Sequence, residues 1–307
     1  MASESSPKRP LTWLITGCSS GFGLALTRMA QANGHNVLAT SRNPARTPEL
    51  VSEITAKGGE WIRLDQDEPD CGQVIEDLEA RGVAIDVLAN VAATSMTGPV
   101  ESFDESEVRR VMETNFFGPY RLMRAAVPHM RKRRSGMVVN FSSGAGMEAN
   151  LSLGVYGASK AALDDLTKVL HKEMKDFKVR VLLVYLGSFN TPMVGKTEVA
   201  AKPLDPDYEG TTTAQYVDVL STGNFVVNGD HVKATQAIYD VVVGEGVGKG
   251  HEDEIMIPLG VDMAARIGQT RERLDHAMEV FGDICNNVDI DGASVGVGQN
   301  TFVKKSN

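Results

Sequence analysis

Short apolar runs, partly β-branched, recur along the chain and alternate with longer stretches in which apolar positions return every three or four residues. The runs at 11–16, 36–41, 60–64, 85–90, 137–141, 179–185 and 254–257 are short and mainly apolar, which predicts strands buried on both faces. Helical patterns lie between them at about 22–33, 71–81, 104–132, 156–176, 230–243 and 260–283. Strands buried on both faces and separated by helices predict a doubly wound, Rossmann-like α/β fold: a parallel sheet of about seven strands flanked by helices.

No shift in composition and no internal repeat divides the chain, so residues 11–285 read as a single domain. The first ten residues and the tail 286–307 read as flexible termini. The stretch 187–229 breaks the alternation with prolines, glycines and small polar residues, as in "KPLDPDYEGTTT" and "STGNFVVNGD". An irregular segment of that length inside a domain suggests a loop region over a binding site.

Composition narrows the classes further. With 307 residues, 42% hydrophobic and 23% charged, the chain can bury a sizeable core and is neither fibrous nor disordered. A net charge of −9 repels nucleic acid and anionic lipid, so neither is expected as a partner. "MASESSPKRP" has no leader-like apolar run and nothing reaches the roughly 20 apolar residues of a membrane span, giving the expectation of a cytoplasmic protein. Cys18, Cys71 and Cys285 are widely spaced and read as free thiols, and six scattered histidines give no metal-ligand spacing.

The first strand runs into "TGCSSGFG", with Gly17, Gly21 and Gly23 ahead of a helical pattern. Glycines between a strand and a helix allow a tight turn and let a pyrophosphate approach the positive helix end, with Ser19, Ser20 and Phe22 supplying the intervening backbone. A glycine triplet by itself is equally a plain turn; the flanking strand and helix favour dinucleotide binding. The second strand ends in Ser41-Arg42, where a site for NAD(H) would present a carboxylate. A hydroxyl and a guanidinium instead suit a 2′-phosphate, which predicts NADP(H), with Arg42 as the discriminator and Ser41 assisting.

Downstream, "NFFG" supplies Asn115, "NFSSGAG" supplies Ser143, and "YGASK" places Tyr156 four residues before Lys160. On a helix, a four-residue step turns about 400°, so Tyr156 and Lys160 share a face one turn apart. A nearby ammonium favours phenolate, and a carbonyl receiving hydride needs an adjacent acid and hydrogen-bond donor. Taken alone, Tyr156 and Lys160 fit equally an amphipathic helix with a snorkelling lysine. Together, TGxxxGxG, Asn115, Ser143 and Tyr156-x3-Lys160 resemble the short-chain dehydrogenase/reductase family over roughly residues 10–195.

The resemblance implies an oxidoreductase that uses Asn115, Ser143, Tyr156 and Lys160. In it Tyr156 donates the proton, Ser143 holds the substrate oxygen, Lys160 binds the nicotinamide ribose and lowers the tyrosine pKa, and Asn115 anchors a water relay. It further implies cofactor contacts from Asp65 and Gln66 near the adenine, from Asn90 and Ala92 in "NVAA", and from Gly187 and Thr191 in "YLGSFNT". Two segments depart from the family pattern: Val91 and Ala93 stand in a motif that usually reads NNAG, and Leu186 replaces a proline before Gly187. Asp164 and Asp165 follow Lys160 on its helix and read as solvated or at a subunit contact, with a catalytic role as the alternative. A homodimer or homotetramer through the two long helices is a further implication.

Substrate contacts are expected from Met96, Met147, Phe189 and Met193, with Val155, Val194, Tyr208 and Phe225 also available. Their apolar character suggests a bulky small molecule, while some of these side chains serve equally as core. The pattern is similar to steroid-type and fungal secondary-metabolism ketoreductases, which implies reduction of C=O, or of C=N, in a biosynthetic intermediate. Two other classes stay open: a non-redox cyclase or isomerase on the same scaffold, and a redox-silent NADP(H)-binding regulator.

Overall fold

The computed structural model describes residues 9–193, 197–285 and 287–288. Its first half contains β1 (Thr12–Ile15), α1 (Gly21–Ala32), β2 (Asn36–Ser41), α2 (Pro48–Ala56), β3 (Glu60–Arg63), α3 (Gln73–Ala80), β4 (Val87–Asn90), β5 (Met96–Thr97), α4 (Glu105–Met112) and α5 (Gly118–Arg133). There follow β6 (Met137–Ser143), α6 (Gly144–Met147), α7 (Gly154–Met174), β7 (Arg180–Leu186), β8 (Glu198–Val199), α8 (Thr212–Thr222), α9 (His231–Val243), β9 (Met256–Leu259) and α10 (Met263–Cys285). Seven strands form one parallel sheet in the order β3-β2-β1-β4-β6-β7-β9, the expected Rossmann-like single domain.

The order runs outward in both directions from β1 and β4, so the strand ends there open a crevice between oppositely directed crossovers. Alternation along β1 explains the two cores. Trp13 and Ile15 join Phe22, Leu26 and Ile238 on the α1/α9 face, whereas Leu14 joins Leu78, Leu122 and Val138 on the α3/α5 face.

Three departures from the periodicity have local causes. The helix expected over 104–132 is broken by a π-turn at Glu113–Phe117 between α4 and α5, and Asn115 sits in that turn. Helix α2 was absent from the pattern reading; it starts at Pro48, whose fixed φ suits a first helical position. The supposedly irregular 187–229 stretch holds order of its own. Strand β8 pairs with β5, and α8 is capped by the Thr211 hydroxyl and closed by Gly223 at φ +67°. The first eight residues and nearly all of the 286–307 tail lie outside the described residues.

Candidate active site

The crevice is floored by the turn after β1. Gly17 has φ +71°, and a Cβ there would lie 2.9 Å from the Ala92 Cα; one on Gly23 would lie 2.4 Å from the Gly17 carbonyl oxygen. Ser20 heads α1 without a side-chain capping bond, which leaves the first helical N–H groups to an outside acceptor. Ser19 and Ser20 are exposed and Thr191 lies above Gly21, 3.8 Å from where its Cβ would stand. Phe22 offers the turn its backbone, as expected. Its ring is buried edge-on against Phe189, at 5.2 Å between centroids, so only its backbone faces the turn.

At the end of β2, Arg42 is exposed and in no ion pair with a described residue, free to meet an anion. The Ser41 hydroxyl is already engaged, accepting from Trp61 Nε1 at 3.0 Å. Gln66 is buried and structural, its amide donating to the Ala92 carbonyl at 3.2 Å and to the Thr114 carbonyl at 2.6 Å. Asn90 likewise turns inward and donates to Asn140 Oδ1 at 2.8 Å, whose amide reaches the Thr167 hydroxyl at 2.8 Å. The side chains of Gln66 and Asn90 therefore brace the crevice walls, which leaves their backbones and the half-buried Asp65 to border it.

Strand β6 ends at Ser143, whose hydroxyl accepts from the Ala145 N–H at 3.2 Å and acts to lower the nearby Tyr156 phenol. One turn further along α7, the buried Lys160 donates to the Phe141 carbonyl at 2.8 Å. Asn115 is fully buried: it accepts from the Thr94 N–H at 2.9 Å and donates to the Thr94 carbonyl and the Ser159 hydroxyl, both at 2.9 Å. Ser159 in turn donates to the Tyr156 carbonyl at 2.7 Å. The four residues thus share one site, and Asn115 ties the π-turn, the loop after β4 and the tyrosine helix together. That side chain is engaged on all sides, so a water relay anchored at Asn115 would use its backbone.

Burial pushes the Tyr156 phenol above its ordinary value, against the Ser143 hydrogen bond and with help from the charge of Asp164. Lys160 is brought down to about 8 by burial, with Asp164 opposing. The expected lowering of Tyr156 by Lys160 is absent here, because the ammonium is turned to Phe141 and the phenol feels the aspartate instead.

Asp164 corrects the sequence reading. Expected in solvent or at a subunit contact, it is 2% exposed, behind Lys160 on the same helix face, while Asp165 is exposed. Its carboxyl is raised by burial, faces the Ser142 and Tyr185 hydroxyls, and keeps one oxygen, Oδ1, without a hydrogen-bond partner. A Cβ on Gly146 would stand 2.7 Å from the other oxygen, so the short α6 turn closes directly over it. The four-residue step from Lys160 was the available signal.

A match to the short chain dehydrogenase family model covers residues 12–201. The chain belongs to the short-chain dehydrogenase family. It is an oxidoreductase, and it is 40% identical over 181 residues to the oxidoreductase claN of Passalora fulva, covering 59% of this chain and 83% of that one. Three further curated relatives are matched over less than two thirds of their own length, 61–65%. A short-chain dehydrogenase from Streptomyces avermitilis superposes with a TM-score of 0.81 at 31% identity, covering 92% of this chain and all of that one. A metagenomic short-chain oxidoreductase in complex with NADP gives a TM-score of 0.55 at 30% identity over 58% of this chain and 82% of that one.

On the substrate side of this dehydrogenase, Met96 is buried with Val111 and Val155, and Phe189 is buried against Phe22. Both were expected at the substrate and instead belong to the packing beneath it. Met147 is half-buried beside Tyr185 and Met263, and Met193 is exposed in the loop after β7. Tyr208 reaches away to Glu101, donating at 2.8 Å, and Val194 lies outside the described residues.

Two residues escaped the sequence reading. Asp262, at the root of α10, accepts from the Ser188 N–H at 3.1 Å and from its hydroxyl at 3.0 Å. Arg266 bonds Asp262 at 2.9 Å and Glu148 at 2.5 Å, clasping the start of the 187–229 segment to the loop after α6. Burial acts to raise the Asp262 carboxyl, yet the Arg266 and Ser188 donors hold it below its usual range. Nothing in the periodicity marks this clasp, since its partners lie far apart in sequence. Among the described residues, no His, Cys, Asp and Glu cluster could hold a metal, and no helix is long and apolar enough to cross a membrane.

Proposed function

We propose that this dehydrogenase is an NADP(H)-dependent reductase of a carbonyl group in a bulky, mainly apolar small molecule, with Tyr156 as proton donor. The observation that carries the reading is the convergence of Ser143 at the end of β6 with Tyr156 and the buried Lys160 one turn apart on α7, held to β6 by the Lys160 bond to the Phe141 carbonyl at the sheet's open crevice. When bound, the reduced nicotinamide supplies the hydride that reaches the carbonyl carbon. The chain's own groups handle the rest. Ser143 orients the substrate oxygen, Tyr156 transfers its phenolic proton to that oxygen as charge builds there, and Lys160 is the group that would hold the nicotinamide ribose. A phenol raised above its ordinary value stays protonated at neutral pH, as a donor requires.

The glycine turn and uncapped α1 fit a pyrophosphate, and the exposed, unpaired Arg42 fits a 2′-phosphate. The apolar substrate class rests on Met193, Tyr216, Phe225 and Val226, exposed along the 187–229 segment. A polycyclic or polyketide-like ketone is the substrate class proposed, with cyclic imines as the adjoining chemistry. The test follows NADPH consumption over polycyclic ketones, polyketide-like ketones and cyclic imines, with mass spectrometry of the products. A product two hydrogens heavier, and a loss of about 10²-fold or more in kcat for Tyr156→Phe, are expected. Turnover without NADPH, or full activity of Tyr156→Phe, would overturn the reading in favour of non-redox chemistry.

A further inference from the structure

Helix α10 leaves the body of the molecule after its first two turns. Met263 is its one buried residue, and from Arg271 to Cys285 every residue except Gly282 is exposed. Along that free length Leu274, Met278, Phe281 and Cys285 follow one another at alternating steps of four, three and four residues. Leu274, Met278 and Phe281 are 61%, 53% and 59% exposed, and Ile284 beside them is 62% exposed. Leu274, Met278, Phe281 and Cys285 follow the spacing of a coiled-coil seam, widened on one side by Ile284 and the 54% exposed Val280. A single helix of that length is marginal in water, so a seam of large apolar residues calls for a partner.

The charges say which partner. Arg271, which pairs with Asp275 at 3.5 Å, and Arg273, which still donates to the Met147 carbonyl at 3.4 Å, lie at the root of the free segment with Glu272 between them, while Glu279 and Asp283 follow with no lysine or arginine among 274–285. An anionic bilayer is disfavoured by that acidic polar face, since helices lying on membranes carry lysine and arginine there. A parallel twin would set like ends together. We propose that the free part of α10 is a self-association surface, pairing antiparallel with the same helix of a second copy. The basic root of each helix then lies beside the acidic tip of the other. In this register Met278 of one copy meets Phe281 of the other, and Leu274 meets Cys285.

Cys285 supplies the readout, because it is the exposed one of the three cysteines while Cys18 and Cys71 are buried. Full-length L274C, treated with a short bis-maleimide and run under denaturing conditions, is expected to give a covalent dimer. Wild type and L274C/C285S should both stay monomeric on the same gel. The double variant L274E/F281E, altered only at exposed positions, should lower the dimer fraction in sedimentation several-fold while keeping wild-type NADPH turnover. Bridging of wild type through Cys285 alone would mean parallel helices and would overturn the proposal. So would an L274C protein that never bridges, whether residues 289–307 cover the seam or phosphatidylcholine–phosphatidylserine vesicles take it up. Because L274E/F281E leaves the active site intact, failure here and failure of the reductase reading separate cleanly.

Discussion

At the residue scale, burial and the charge of Asp164 together set how Tyr156 and Lys160 titrate. That charge raises both Lys160 and Tyr156, although burial sets the net direction of each, downward for the lysine and upward for the phenol. Both groups must be protonated for reduction, and both lose that proton as pH rises. Asp164→Asn removes the supporting charge, both values fall, and the alkaline limb of kcat/KM for NADPH-driven reduction moves to lower pH. A limb that stays in place would mean Asp164 is already neutral in the free enzyme. Arg42 has a simpler role, a guanidinium awaiting an anion. A charge-assisted hydrogen bond contributes about 1.5–3 kcal/mol, so Arg42→Ala should raise the KM for NADPH about 10- to 100-fold and leave that for NADH nearly unchanged. Equal effects on the two cofactors would remove the 2′-phosphate assignment.

Elements explain what was legible in the sequence and what was not. Period and apolar content placed the seven sheet strands, because the five inner ones are sandwiched between helix layers and apolar on both faces, while the edge strands β3 and β9 are only partly buried. The same signals could not show that α4 and α5 are separate helices, since a π-turn leaves the apolar period almost intact across Glu113–Phe117. Motif spacing brought Ser143, Tyr156 and Lys160 together, yet Asp164 looked solvated because its burial depends on the Gly146 turn and on Tyr185 from another strand. The clasp of Asp262 and Arg266 was invisible for the same reason. The π-turn carries a prediction of its own. Asn115→Ala strips both partners from the Thr94 backbone and one from Ser159, so the buried groups lose their bonds. It should cost about 2–4 kcal/mol in urea unfolding and lower kcat, whereas a surface change such as Asp165→Asn should leave both within error.

At the scale of the whole molecule, the crevice is walled by segments that lie far apart in sequence. The turn after β1, the end of β2, the head of α7 and the loop after β7 come from separate parts of the chain and converge where the sheet order reverses. A dinucleotide that bridges them binds only the folded state, so its affinity appears directly as stability. At 100 times its Kd it adds about 2.7 kcal/mol. In a chain of this size that is a rise in Tm of about 5 °C or more, because each kilocalorie shifts a large domain by roughly 2–4 °C. NADPH should give that rise, and NADH at the same concentration should give clearly less, because only NADPH offers Arg42 a phosphate. The difference should vanish in Arg42→Ala and persist in Tyr156→Phe, since in the proposed function the phenol handles the substrate proton and Arg42 the cofactor's 2′-phosphate. Equal shifts from the two cofactors in the wild-type protein would place the preference elsewhere than at the end of β2, without touching the catalytic assignment of Ser143, Tyr156 and Lys160.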